Sequence, residues 1–92
     1  MVVEATLVSP STGQYSAADI SRIPPHVYDQ PVSFSLWPNN SGASCNNANC
    51  ACNSAAYCSP NDNGAVRADS DNNVGITVSL LAFVYMLSLI HI

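Results

Sequence analysis

The sequence predicts a mostly β chain. Residues 1–42 read as the edge of a β-sandwich, 43–73 as a disulfide-rich coil and polar spacer, and 74–92 as an apolar C-terminal helix. Three observations carry this. Residues 32–36 alternate strictly between apolar and hydroxyl-bearing side chains, the period of a half-buried strand. Four cysteines fall between positions 45 and 58. The last nineteen residues contain no charged side chain.

The first element is expected over residues 2–8, rich in β-branched side chains and closed by the turn cluster Ser9-Pro10-Ser11-Thr12-Gly13. Residues 16–23 are expected to hold one short helical turn, with Ser16 as its cap and Pro24-Pro25 ending it. After Pro31 comes the clearest strand, 32–37. Val32, Phe34 and Leu36 share one face and can pack on a second sheet; Ser33, Ser35 and Trp37 share the other. Pro38-Asn39-Asn40-Ser41-Gly42 then stops it.

The polar face of that strand suggests a site. A flat indole stacks on the C–H face of a pyranose, and neighbouring hydroxyls satisfy the sugar's own, so Trp37 and Ser35 are candidate carbohydrate-binding residues. The competing expectation is that Trp37 ends the strand and covers a core edge. Asn39-Asn40-Ser41 is a glycosylation sequon at Asn39, in keeping with export.

Cys45, Cys50, Cys52 and Cys58 have the spacing C-x4-C-x-C-x5-C. An even count in an exported chain implies two disulfides. Cys50 and Cys52 flank one residue and a bridge between them would be strained, which favours 45–50 with 52–58, beside crossed and nested forms. Structural zinc suits C-x2-4-C pairs and nearby His, and neither is present. The Asn- and Ser-rich residues between and beyond the cysteines are turn chemistry, expected as a stapled stalk or a small recognition knob.

The run from Val74 is close to the lower limit of ~17–25 residues for a membrane span, yet no Lys or Arg flanks it. It also fits a lipid-attachment signal, with small residues at a cleavage site, a spacer of ~8–12 residues and an apolar tail. Asn63-Gly64-Ala65 supplies the small residues, so Asn63 is the expected attachment residue, and 66–73 the spacer. The closing residues 86–92 resemble a translated sequencing adapter, and His91 is given no role. The chain start has no basic region and no apolar signal core. An exported protein needs one, so the chain is expected to be the C-terminal fragment of a longer precursor, with Met1 internal.

Function classes narrow accordingly. Two Lys+Arg against six Asp+Glu, a net charge of −4, exclude the basic patch that nucleic-acid binding needs and argue against docking on anionic lipid. A chain of 92 residues with this composition has too thin a core for an independent catalytic domain. No nucleophile elbow accompanies His26 and Asp29, and Asp62, Asp69 and Asp71 lack the Gly and Glu of a calcium loop. No cofactor, metal site or catalytic residue is expected. The partners expected are a polysaccharide and the membrane, at the extracellular face of the plasma membrane.

The string Ile23-Pro24…Pro31-Val32-Ser33-Phe34-Ser35-Leu36-Trp37-Pro38-Asn39 resembles the late strand of glycoside hydrolase family 16 proteins, and Val3-Glu4-Ala5-Thr6-Leu7-Val8 is similar to the strand just upstream. The resemblance covers under half the chain. It implies a β-jelly-roll whose concave face binds β-glucans, with Trp37 in that groove. Ser35 stands where many members have Asn, Pro38 departs too, and Glu4-Ala5 replaces an Asp-Gly turn. The family's paired catalytic carboxylates, Glu-x-Asp-x-x-Glu or Glu-x-Asp-x-Glu, are absent, since Glu4 is the sole Glu. The resemblance therefore implies that catalysis lies upstream of Met1. The other class is a non-enzymatic adhesion or lectin-like surface protein with a Cys-rich membrane-proximal stalk.

Overall fold

A computed structural model describes residues 1–8 and 15–80. They form a small β-rich domain of six strands: β1 (Val2–Thr6), β2 (Ser16–Ser21), β3 (Val32–Trp37), β4 (Gly42–Cys45), β5 (Arg67–Asp69) and β6 (Gly75–Leu80). These make two three-stranded sheets, ordered β1-β2-β5 and β4-β3-β6, in which every pairing is antiparallel. No helix occurs among the described residues.

Strand β3 forms where its alternation places it. Val32, Phe34 and Leu36 are buried, while Ser33 and Ser35 are half-buried and Trp37 is exposed. The apolar three meet Ala18 and Ile20 of the facing sheet, and Cys45 and Ala56 complete the cluster. Ile20, Leu36 and Cys45 are wholly inaccessible to solvent. The two central strands, β2 and β3, thus supply most of the core.

Two expected elements are corrected. Residues 16–23 do not form a helical turn; 16–21 are strand β2, paired with β1 from Thr6↔Ala17 to Val2↔Ser21. The physical reason is a period of two: Ser16, Ala18 and Ile20 are buried, while Ala17 and Asp19 are only partly covered. Adjacent alanines hid that period. Ser16 still caps something, since its hydroxyl accepts the Val8 N–H at 3.1 Å and holds the end of β1.

The apolar C-terminal helix is the second correction. Its early residues, Gly75–Leu80, are strand β6, paired along the whole of β3 from Trp37↔Gly75 to Val32↔Leu80. Ile76, Val78 and Leu80 alternate with Thr77 and Ser79, and β-branched side chains favour the pleated surface. A long uncharged run concealed the alternation of its first six positions. Residues 81–92 lie outside the described residues, and with them the rest of the expected tail. Among the described residues no helix is long and apolar enough to cross a membrane.

The cysteine segment closes two bridges in chain order, Cys45–Cys50 and Cys52–Cys58, with Cα–Cα separations of 5.2 and 5.4 Å. It lies against β2: the Tyr57 N–H donates to the Ile20 carbonyl at 2.8 Å, and the Arg22 N–H to the Tyr57 carbonyl at 2.6 Å. Ala56 and Ala65 are fully buried. The spacer beyond it contributes β5, paired with β2 from Ser16↔Asp69 to Ala18↔Arg67.

Arg67 ties these parts together. Its Nε donates to the Gly42 carbonyl at 3.0 Å, Nη1 to those of Gly64 and Val66 at 3.2 Å, and Nη2 to Ser54 at 2.8 Å. One planar guanidinium therefore joins β4, β5 and the cysteine segment. Charge-assisted donors of this kind are the stronger hydrogen bonds of a fold.

Candidate functional site

The outer face of the β4-β3-β6 sheet is built of rows fixed by register. Ser33 lies between Ser44 and Ser79; Ser35 lies between Gly42 and Thr77; Trp37 lies opposite Gly75. Three strands thus bring five hydroxyls to one surface, with a single indole at its end. A shallow depression of about 490 Å³ runs over the Ser33 and Ser35 rows, with Asn40 also in its lining and Trp37 outside it.

At Gly42 the backbone passes so close to β3 that a Cβ would clash with the Phe34 carbonyl oxygen, so only glycine fits beside Ser35 there. Asn40 occupies the left-handed region at φ 62° in the turn joining β3 to β4, a conformation Asn tolerates better than most residues. The turn closes by the Asn40 N–H to Leu36 carbonyl bond at 2.9 Å and the Leu36 N–H to Ser41 carbonyl bond at 2.7 Å.

Trp37 is 60% exposed, which removes it from the core. A Cβ placed on Gly75 would meet nothing within 4 Å, so the indole does not lie over its cross-strand neighbour either. The ring is free on the same face as the hydroxyls. Ser33, Ser35 and Trp37 were legible from alternation; Ser44, Thr77 and Ser79 were not, because only strand pairing brings them alongside.

Asn39 is exposed and holds the sheets together at the turn. Its N–H donates to Asp69 Oδ2 at 3.1 Å, its Nδ2 donates to the Ala68 carbonyl at 3.0 Å, and its Oδ1 accepts the Ser41 N–H at 2.9 Å. Asn63 is also exposed. The N–H groups of Asn63 and Gly64 both donate to Asn53 Oδ1 at 2.6 Å, and a Cβ on Gly64 would clash with the Asn53 carbonyl oxygen. The residues that follow Asn63 supply β5 and β6.

A carboxyl pair absent from the sequence reading stands on the other sheet. Glu4 of β1 lies directly opposite Asp19 of β2. Burial, then a side-chain hydrogen bond to Glu4 and the Glu4 charge, push Asp19 from 3.8 to about 7. Its Oδ1 is enclosed without a hydrogen-bond partner. Recognising 16–21 as a strand would have found the pair. Among the described residues no group of three or more His, Cys, Asp or Glu is placed to hold a metal ion.

The Asp19 shift has a testable sign. An acid whose pKa is raised on folding keeps its proton in the native state where the unfolded chain has released it. Its contribution to stability is therefore present near pH 3.8, declines as pH rises, and is gone above about 7. Asp19→Asn, neutral throughout, is expected to show a flatter dependence of melting temperature between about pH 4 and about pH 7 than the parent chain. Parallel curves for the two proteins would mean that no proton is held between Glu4 and Asp19.

No family model matches this chain, and neither a curated protein nor a solved structure matches it.

Proposed function

We propose that this chain presents a carbohydrate-binding face of an exported surface protein, lectin-like in action, with a polysaccharide as its ligand. The observation that carries this reading is the union of a free indole with cross-strand hydroxyls on one sheet face. Trp37 would stack on the C–H face of a sugar ring, and Ser33, Ser35, Ser44, Thr77 and Ser79 would exchange hydrogen bonds with its hydroxyls. The resemblance of 23–39 to glycoside hydrolase family 16 supports a jelly-roll-like sandwich edge and a β-glucan as the ligand class.

The carboxyl geometry favours binding over hydrolysis. A retaining glycosidase holds its two carboxyl groups ~5–5.5 Å apart across the scissile bond. Glu4 and Asp19 instead hydrogen-bond to each other, and they lie on the other sheet from Trp37. Hydrolysis in a larger glycosidase bearing this face would need carboxylates from outside these residues. Two disulfides support an oxidising compartment, in line with an extracellular location. With Gly75–Leu80 in a sheet, membrane attachment would fall to residues from 81 onward.

Trp37 is the sole Trp, so its fluorescence reports on the site directly. Titration with laminarin is expected to shift the emission to the blue and saturate. Trp37→Ala should weaken binding by at least ~10-fold, equivalent to about 1.4 kcal/mol. Its melting temperature should stay that of the parent, because the ring is 60% exposed. Loss of stability and binding together would make Trp37 structural; unchanged binding would remove it from the site.

A further inference from the structure

The loop from Arg22 to Tyr28 and the Cys52–Cys58 bridge border an open cleft of about 290 Å³, lined by Pro24 and Val27 together with Arg22, His26 and Tyr28. We infer that this cleft binds a small organic carboxylate the size of one uronic acid ring, with Arg22 receiving its carboxylate. This inference does not depend on the Trp37 face.

The contrast between the two arginines is the starting point. Arg67 places donors from all three of its nitrogens on backbone carbonyls. Among the described residues Arg22 has nothing comparable: its Nε is enclosed without an acceptor, and its Nη1 reaches the Cys50 sulfur, at 3.7 Å. A sulfur is a weak acceptor, so the guanidinium charge is poorly compensated by the protein. The buried Nε is closed to a ligand, which leaves the two terminal amino groups of the guanidinium, a planar fork on the lining of an open cleft that matches a carboxylate bidentately.

The nearby acidic groups are engaged elsewhere. Asp62 Oδ2 accepts the N–H groups of Cys58 and Ser59 at 2.8 and 3.2 Å, and Asp29 pairs with the Met1 amine at 3.2 Å. The rest of the cleft suits a ring: His26 and Tyr28 offer polar contacts for hydroxyls, and Pro24, Val27 and the disulfide offer apolar surface. Its volume sits at the small end of ligand cavities, which run from ~300 Å³ upward, so one ring is the natural limit.

The test is a two-dimensional NMR titration of the full disulfide-bonded chain with glucuronate, with glucose and inorganic sulfate in parallel. Glucuronate is expected to give saturating shifts confined to residues 22–28 and 52–58, and glucose none. Arg22→Lys keeps the charge but loses the fork and should weaken binding ~10-fold; Arg22→Gln should abolish it. His26→Ala, at an exposed position, should weaken binding while leaving the melting temperature unchanged, and it decides the matter if Arg22→Gln fails to fold. Non-saturating shifts, equal shifts with glucose, or binding unaffected by Arg22→Gln or His26→Ala would overturn the inference. Sulfate binding as tightly as glucuronate would overturn the assignment to a carboxylate-bearing ring.

Discussion

A chain ended at Asn63 is expected to lose cooperative folding altogether. Strand β6 runs along all six residues of β3, and its Ile76 lies opposite the fully buried Leu36. Without it, one edge of β3 is bare in the middle of the core sheet. Strand β5 goes too, and with it Arg67, which joins three segments, and Asp69, which accepts the Asn39 N–H. Domains this small have a margin of only ~5–15 kcal/mol, so the loss of two of six strands exceeds what remains. Far-UV circular dichroism of residues 1–63 beside the full chain checks this. A sigmoidal melt for both would show β5 and β6 to be dispensable, and would restore Asn63 as a workable cleavage and attachment point. A melt for the full chain alone sets lipid attachment at Asn63 against the integrity of the fold.

Reduction of the disulfides is expected to have the next largest effect. Each bridge closes a short loop, with sequence separations of 5 and 6. The loop-entropy relation gives about 2 kcal/mol for such a loop, hence about 4 kcal/mol for the pair. Among the described residues eight buried apolar side chains, three of them alanines, make a slight core to set against that loss. For a domain of this length the change corresponds to a fall of roughly 15–30 °C in melting temperature. Thermal melts with and without a phosphine reductant measure it. The Cys45–Cys50 pair should matter more, because Cys45 is wholly buried in the core cluster whereas Cys52 is exposed. An unchanged melt under reduction would show that the apolar core alone suffices.

Legibility in the sequence followed the strength of contrast between neighbours. Val32-Ser33-Phe34-Ser35-Leu36 sets large apolar groups against small hydroxyls, and both the strand and its faces could be read. In β2, Ala17 and Ala18 are the same residue on opposite faces, so burial cannot be told from side-chain type. In β6 the hydroxyls of Thr77 and Ser79 are diluted by apolar residues on both sides, and length argued for a helix or anchor. The cysteine count gave the bridges but left their connectivity open, since it depends on where Cys45 sits in β4.

The candidate face was half legible for the same reason. Ser35 and Trp37 belong to one strand and could be placed by period alone. Their companions Ser44 and Thr77 are separated from Ser35 by nine and forty-two positions in the numbering, and a register between strands is required to unite them. Glu4 and Asp19 are the same case on the opposite sheet. Spacing within one segment is visible in a sequence; adjacency across a sheet is a product of folding.

The Asn39 amide carries a consequence for order in time. The nitrogen to which a glycan would be joined is the nitrogen that bonds the Ala68 carbonyl, on a strand of the other sheet. A transferase meeting the finished domain would have to open that contact to reach its substrate atom. One meeting the chain as it emerges, before residues 67–69 have been added, would find the amide free. Were a sugar attached at Asn39, its attachment would therefore be an event of biosynthesis, competing with closure of the two sheets, and the extent of modification would be a clock on how fast they close.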